Sequence, residues 1–162
     1  MAHASDYVEI TQLLQSGKAA EALGKADQRL SVAPRDPQLR FLRGVAQTDT
    51  GQTDAAIATF TQLIQEYPEL PEPYNNLAVI YASQNQLDKA RTALEMAVRN
   101  NPAYAAAHEN LGDIYARQAY QSYAKAQKLE ANNAAVKSKL ALVRQLLQPV
   151  AARPAKPATA RP

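Results

Sequence analysis

The fold of this chain is decided by residues 68–102, which read PELPEPYNNLAVIYASQNQLDKARTALEMAVRNNP. The prolines at its two ends belong to a series with a period of 34 residues: Pro34, Pro68 and Pro102. Other positions keep the same interval, namely Gly17, Gly51 and Asn85; Ala22, Ala56 and Ala90; Leu30, Ile64 and Val98; and Gly44, Ala78 and Gly112. Such a period is typical of a solenoid, in which each unit buries its apolar face only by stacking on its neighbours.

Between the prolines, apolar residues recur at steps of three and four, which is the helical period. This spacing predicts helices over about 5–16, 18–32, 37–50, 53–66, 71–84 and 87–100. Asp36 should cap the third helix, with Pro37 in its first turn, where a missing N–H costs nothing. Gly17, Gly51 and Asn85 should end the first helix of each pair in the left-handed conformation.

The stretch combines three motifs that together resemble the tetratricopeptide repeat (TPR) family: Tyr74-x-x-Leu77-Ala78-x-x-Tyr81, then Ala90-x-x-x-Leu94, then Pro102. The resemblance covers about residues 4–131, although Arg40, Arg43 and Gln47 stand where the family usually has large apolar residues. It implies an all-α fold, an α-α superhelical solenoid of TPR helix hairpins. The implied repeats are about 4–36, 37–70 and 71–104, followed by an altered fourth at 105–131.

The fourth unit departs from the period after Tyr115, because five residues of the expected turn are missing and no Gly or Pro follows before Ala131. We therefore predict one continuous helix over about 104–130. A terminal helix at 134–147 should return along it and cap the solenoid, closing a TPR domain that spans 4–148. The alternative is a homodimer formed through the long helix, with Tyr120, Tyr123 and Leu129 as the self-association residues.

The net charge of +3 lies in the C-terminal tail, at Arg153, Lys156 and Arg161. Without those three, 15 Lys and Arg face 15 Asp and Glu, so the body lacks the basic excess that nucleic-acid binding requires. We expect no nucleic acid and no membrane insertion, since no apolar run is long enough to cross a bilayer. Residues 149–162 are rich in Pro and Ala, which predicts a disordered tail or a linker to a further domain.

No catalytic constellation is visible, so we expect no enzyme activity, no cofactor and no metal site. The chain has no cysteine, which excludes disulfides and thiolate chemistry. His108 stands where the TPR family usually has a large core residue, and the resemblance therefore implies a packed structural role.

The resemblance also implies a binding surface, because the first helices of stacked TPR hairpins line a concave groove that holds an extended peptide or a helix. Residues at steps of four mark this face in each unit. Asn76 and Asn110 resemble family asparagines that bind a ligand backbone, but the basic clamp for a chaperone carboxylate is absent. The predicted groove residues are Phe41, Val45, Asp49, Asn75, Asn76, Val79, Glu109, Asn110 and Asp113.

The expected function is non-catalytic protein–protein interaction, as an adaptor or scaffold that binds a protein or peptide partner. The carboxylates of Glu109 and Asp113 would favour a basic segment. Alternatives are a structural self-association module and the N-terminal interaction domain of a larger bacterial envelope protein. Ala2-His3-Ala4 before Ser5 resembles the end of a secretory signal peptide, which predicts a periplasmic location; the alternative is cytoplasmic.

Overall fold

A computed structural model describes residues 4–149, and the only regular elements in that range are helices. Each predicted helix is present, with ends within two residues of the expected positions. The eight helices are α1 Ala4–Gln15, α2 Ala19–Leu30, α3 Pro37–Asp49, α4 Thr53–Glu66, α5 Pro71–Ser83, α6 Leu87–Asn100, α7 Ala105–Leu129 and α8 Ala134–Leu146. Residues 1–3, which include Ala2 and His3 of the stretch that resembles the end of a signal peptide, and the Pro- and Ala-rich residues 150–162 lie outside the described range.

The first six helices and the start of α7 stack in two layers. The odd-numbered helices touch each other in sequence, α1 with α3, α3 with α5 and α5 with α7, whereas no two even-numbered helices within residues 4–149 come as close. The odd-numbered layer is therefore the inner, concave side of the superhelix. Three apolar clusters lie between the layers and share no buried residue, so each unit completes its core only with its neighbour.

The turns between helices adopt the conformations that their residues favour. Gly17, Gly51 and Asn85 have φ values of 75°, 76° and 58°, so the three repeat positions share the left-handed geometry expected of them. At the start of α3, the Asp36 carboxylate accepts a hydrogen bond from the backbone N–H of Leu39 at 2.9 Å, and Pro37 occupies the first turn.

The small residue at the crossing of α3 and α4 is required by contact. A Cβ built on Gly44 would lie 2.6 Å from Cε1 of the fully buried Phe60. Gly112 occupies the equivalent repeat position, but a Cβ built on it would meet nothing within 4 Å. The physical reason is that α7 continues past the expected turn, so no second helix folds back to cross it at Gly112.

The predicted long helix is α7, and α8 returns antiparallel along it as the predicted cap. Lys139 lies over the ring of Tyr123, and the later Arg144 lies over the ring of the earlier Tyr120, both at 5.8 Å. Arg144 also donates to the Tyr120 hydroxyl at 3.3 Å. The cap does not reach Leu129, whose side chain is 78% exposed.

Two of the polar residues that replace family core residues find partners in α4. Arg40 donates two hydrogen bonds to Glu66, at 2.7 and 3.1 Å, and this contact lowers the pKa of the Glu66 carboxyl. The amide oxygen of the buried Gln47 accepts from the hydroxyl of Thr59 at 2.7 Å. The polar side chain of Gln47 is tolerated inside the second unit because its hydrogen-bond partner Thr59 is buried as well.

Candidate functional site

The candidate site is a cavity of about 480 Å³ on the inner side of the solenoid, where α5, α7 and the end of α8 meet. We call it the concave cavity. About half of its wall is apolar, and Ala78, Val79 and Ile114 are among the apolar residues that line it. Its polar groups from α7 are Glu109, Asn110, Asp113 and Arg117, which lie on one face of that helix. Four of the predicted groove residues therefore lie together here: Val79, Glu109, Asn110 and Asp113.

The predicted groove residues of the second unit do not form an open apolar surface. Phe41 and Val45 are only partly exposed and pack on the core, with the Phe41 ring 5.8 Å from that of Phe60. Both residues are therefore half-buried, because they pack on the apolar cluster that contains Phe60. Asp49 is exposed, and partial desolvation raises the pKa of its carboxyl.

The side chains of the three predicted groove asparagines form hydrogen bonds within the protein. The side-chain amide of Asn110 donates to the amide oxygen of Asn75 at 2.9 Å, joining α7 to α5. Asn75 is only 7% exposed and does not line the cavity, so its side chain is not available to a ligand. Asn76 donates to the Glu72 carbonyl of its own helix at 3.0 Å. Nearby, burial and then the charge of Glu72 raise the pKa of Tyr104 to about 12.

The charges of the concave cavity are two free carboxylates and one tethered guanidinium. Glu109 and Asp113 are exposed, and neither pairs with any cation in residues 4–149. Arg117 donates to the Ala82 carbonyl at 3.0 Å and to the Asn85 side chain at 3.2 Å, which holds it against the turn after α5. The carboxylates are thus the groups available to a ligand, and they favour positive charge.

One wall of the cavity was not predicted from the sequence. Leu146, Leu147, Gln148 and Pro149, at the end of α8, complete the lining opposite Val79. No local sequence pattern predicts this wall, because the position of the end of α8 depends on how far α7 continues and on the pairing of the α7 tyrosines with α8. The cap therefore does more than cover the solenoid, since its last residues shape the site.

His108 is exposed, not packed in the core as expected, and its Nε2 lies 2.8 Å from the Pro102 carbonyl. Tyr74, one repeat earlier, donates to the Pro68 carbonyl in the same way at 3.2 Å. His108 thus forms the same hydrogen bond as Tyr74, to the proline carbonyl six residues earlier. Its side chain is nevertheless exposed, since no second helix of its own unit covers it. Across residues 4–149, no three metal-ligating side chains come together, and no helix is both long and apolar enough to span a membrane.

Comparison with family models identifies the repeat independently. Two models described as tetratricopeptide repeat match residues 7–71 and residues 47–114. Together they cover α2 to α6 completely, α1 from residue 7 and α7 as far as Ile114, so of the α7 residues that line the concave cavity only Arg117 lies outside. The distal half of α7 and all of α8 fall outside both matches.

Similar proteins share the repeat and the fold. A chloroplastic TPR domain-containing protein of Arabidopsis thaliana, PYG7, is 38% identical over 68 residues, which are 40% of this chain but only 23% of that protein. The thermophilic TPR protein TTC0263 of Thermus thermophilus superposes with a TM-score of 0.67 at 23% identity, over 91% of this chain and 84% of its own. The first TPR of Spaghetti (RPAP3), solved bound to the HSP90 peptide SRMEEVD, superposes with a TM-score of 0.64 at 16% identity, over 71% and 91% of the two chains.

Proposed function

The chain belongs to the tetratricopeptide repeat family, and from that premise we propose that it is a non-catalytic interaction module which holds an extended segment of a partner protein in the concave cavity. The observation that carries the proposal is the composition of this cavity, which apolar residues such as Val79 line together with the unpaired carboxylates of Glu109 and Asp113. Apolar surface supplies contact area, and the carboxylates select the sign of the ligand's charge.

The preferred segment is basic. A ligand such as the acidic peptide SRMEEVD, which the Spaghetti domain binds, would bring its carboxylates close to those of Glu109 and Asp113. The guanidinium of Arg117 offsets only part of this repulsion, because its single positive charge stands against two carboxylates and it is held by Ala82 and Asn85. A peptide with Lys or Arg spaced along an extended, small-residue backbone would match the carboxylates and place few bulky groups against the apolar wall.

Fluorescence anisotropy with a labelled Ala- and Pro-rich peptide carrying several arginines tests this proposal. Val79→Lys should strongly reduce binding, because a positive charge then stands in the apolar wall and repels the arginines, while the melting temperature should change little since Val79 is 47% exposed. Val32→Lys is the matched control, because Val32 is an exposed valine between α2 and α3 and does not line the cavity. Equal loss of binding in both variants, or in neither, would contradict the proposal.

Self-association through the C-terminal helices is a second candidate function. Leu129, Leu142 and Leu146 are 78%, 65% and 69% exposed, an unusual amount of apolar surface for one end of a solenoid. Leu129→Asp should then shift the sedimentation coefficient toward the monomer value, whereas Val79→Asp should not. A single monomeric species at every concentration of the unmodified protein would end this alternative.

A further inference from the structure

The end of the described chain lies at the concave cavity itself. Helix α8 runs antiparallel to α7 from Tyr123 towards Arg117, and Leu147, Gln148 and Pro149 then line the cavity together with Val79 and Asp113. Gln148 and Pro149 are both exposed there. Residues 150–162 therefore start at the mouth of the site to which the proposed function assigns partner binding.

The sequence of residues 150–162 has the chemistry that the cavity favours. It reads VAARPAKPATARP, with three cations at Arg153, Lys156 and Arg161 and no acidic residue. Its uncharged positions are mainly alanine and proline, which are small enough to pass an apolar wall and favour an extended backbone. The opposite charges are available, because Glu109 and Asp113 form no ion pair within residues 4–149.

Resting on the proposed function, we infer that the first occupant of the concave cavity is this chain's own segment 150–162, which competes with partner peptides for Glu109 and Asp113. The tail then blocks the cavity of its own chain. A partner peptide displaces the tail only if it is more basic, longer or more concentrated than the tail.

The length of the segment permits this contact. Thirteen residues in extended polyproline geometry reach about 40 Å at about 3.1 Å per residue. The inner helices that the segment would cross, α7, α5 and α3, are neighbours spaced about 8–10 Å apart, so the groove as far as Asp49 is about 20 Å long. Arg153 and Lys156 can therefore face Glu109 and Asp113, and Arg161 can approach Asp49.

Covalent attachment makes a weak contact sufficient. A short tether gives an effective concentration of about 1 mM, so a segment with an affinity of only about 1 mM in solution would occupy the cavity about half the time. A partner peptide can readily displace a tail that is held by such a weak contact.

Paramagnetic relaxation enhancement on the full chain tests the inference. Because the protein contains no cysteine, Ala158→Cys provides a single attachment point for a spin label. We expect the amide signals of Val79 and Asp113 to lose much more intensity than those of Lys89 and Arg99 on α6. Mixing isotope-labelled chain with spin-labelled, unlabelled chain must give no such loss, which separates intramolecular docking from dimerisation.

Charge reversal supplies the control variants. Glu109→Lys with Asp113→Lys should abolish the selective intensity loss, whereas Glu21→Lys with Glu95→Lys, two carboxylates of the even-numbered helices, should preserve it. If the cavity variant fails to fold, the tail variant with Arg153, Lys156 and Arg161 all replaced by serine tests the same contact without touching the fold. Selective loss that survives in the serine variant, or that is missing from the unmodified tail, overturns the inference.

A binding titration separates failure of the inference from failure of the proposed function. Replacing the three tail cations by serine should tighten binding of the labelled basic peptide by about two- to tenfold, because an effective tail concentration of about 1 mM no longer competes. Equal affinity for both chains overturns the inference and leaves the proposed function standing. Absence of binding to either chain contradicts the proposed function.

Discussion

The side-chain amide of Asn110 in α7 donates a 2.9 Å hydrogen bond to the amide oxygen of Asn75 in α5. The two residues lie one repeat and one position apart, and their hydrogen bond joins the two inner helices beneath the concave cavity. Asn75 is buried and does not line the cavity, so its amide oxygen serves to hold Asn110, whereas Val79, Glu109 and Asp113 are exposed and line it.

This hydrogen bond should contribute measurably to stability. Asn110→Ala removes the donor and leaves the buried oxygen of Asn75 without it, at an expected cost of about 1–3 kcal/mol in the free energy of unfolding. Asn76→Ala is the control, because Asn76 bonds only the carbonyl of Glu72 in its own helix, and the expected change is within about 0.5 kcal/mol. Urea unfolding measures both, and equal effects would contradict the assigned role of Asn75.

Two glycines at equivalent repeat positions should respond in opposite directions to alanine. Gly44→Ala places a Cβ against the ring of Phe60 and should cost about 1–3 kcal/mol through overpacking. Gly112→Ala meets open space in the middle of α7 and should stabilise by about 0.5–1 kcal/mol, because alanine favours the helix. Thermal melts of the two variants compare them directly; destabilisation by both would mean that α7 is crossed after all.

The buried pair of Gln47 and Thr59 should be coupled. Thr59→Val deprives the Gln47 amide oxygen of its hydroxyl donor and should cost about 1–3 kcal/mol. Adding Gln47→Leu, which restores the apolar residue usual in the family, should recover much of that loss. A double-mutant cycle from denaturant unfolding gives the coupling energy, and strictly additive effects would show that the hydrogen bond contributes nothing.

Stability should fall at alkaline pH through two tyrosines. The pKa of Tyr7 is raised to about 12 by its hydrogen bond to Asp36 and by burial, and the pKa of Tyr104 to about 12, mainly by burial. The unfolded chain releases these protons near the ordinary value of 10 and the folded chain only near 12. Their stabilisation is therefore complete below pH 10 and is lost as pH rises from 10 to 12.

Denaturation midpoints measured across this pH range check the alkaline prediction. A variant carrying Tyr7→Phe and Tyr104→Phe should lose stability less steeply between pH 10 and pH 12 than the unmodified protein. If the two chains show the same slope, the raised pKa values do not govern the alkaline loss of stability.

The regular part of the fold could be predicted from the sequence because its signals are local. The 34-residue interval, the helical spacing and the left-handed turns at Gly17, Gly51 and Asn85 each depend on residues close in the chain. The site could be predicted only in part. Helix periodicity shows which face of a helix a residue lies on, but it does not show which other side chains pack over that residue. Phe41 and Asn75 face inward as expected, yet Phe60 and Asn110 cover them.

The missing turn could be predicted from the sequence, but the place of the end of α8 in the cavity could not, because it depends on how α8 pairs with α7. Without that turn, α7 extends beyond the stack, Gly112 stays uncrossed, His108 stays exposed, and the last residues of α8 reach the cavity. All four differences have one cause, which is that the chain does not turn after Tyr115. The residue types at Gly112 and His108 give no local sign of it. The family resemblance also fails here, since both family models end before this region.

The central claim is that the carboxylates of Glu109 and Asp113 choose the ligand, and charge reversal at these positions tests it most directly. Anisotropy titrations compare labelled arginine-bearing and glutamate-bearing peptides of matched length on two full chains: the unmodified protein and the Glu109→Lys, Asp113→Lys variant. The unmodified chain should prefer the basic peptide and the variant the acidic one. Both preferences should weaken as salt shortens the Debye length from about 10 Å at 0.1 M to about 3 Å at 1 M. The same basic preference in both chains would contradict the claim.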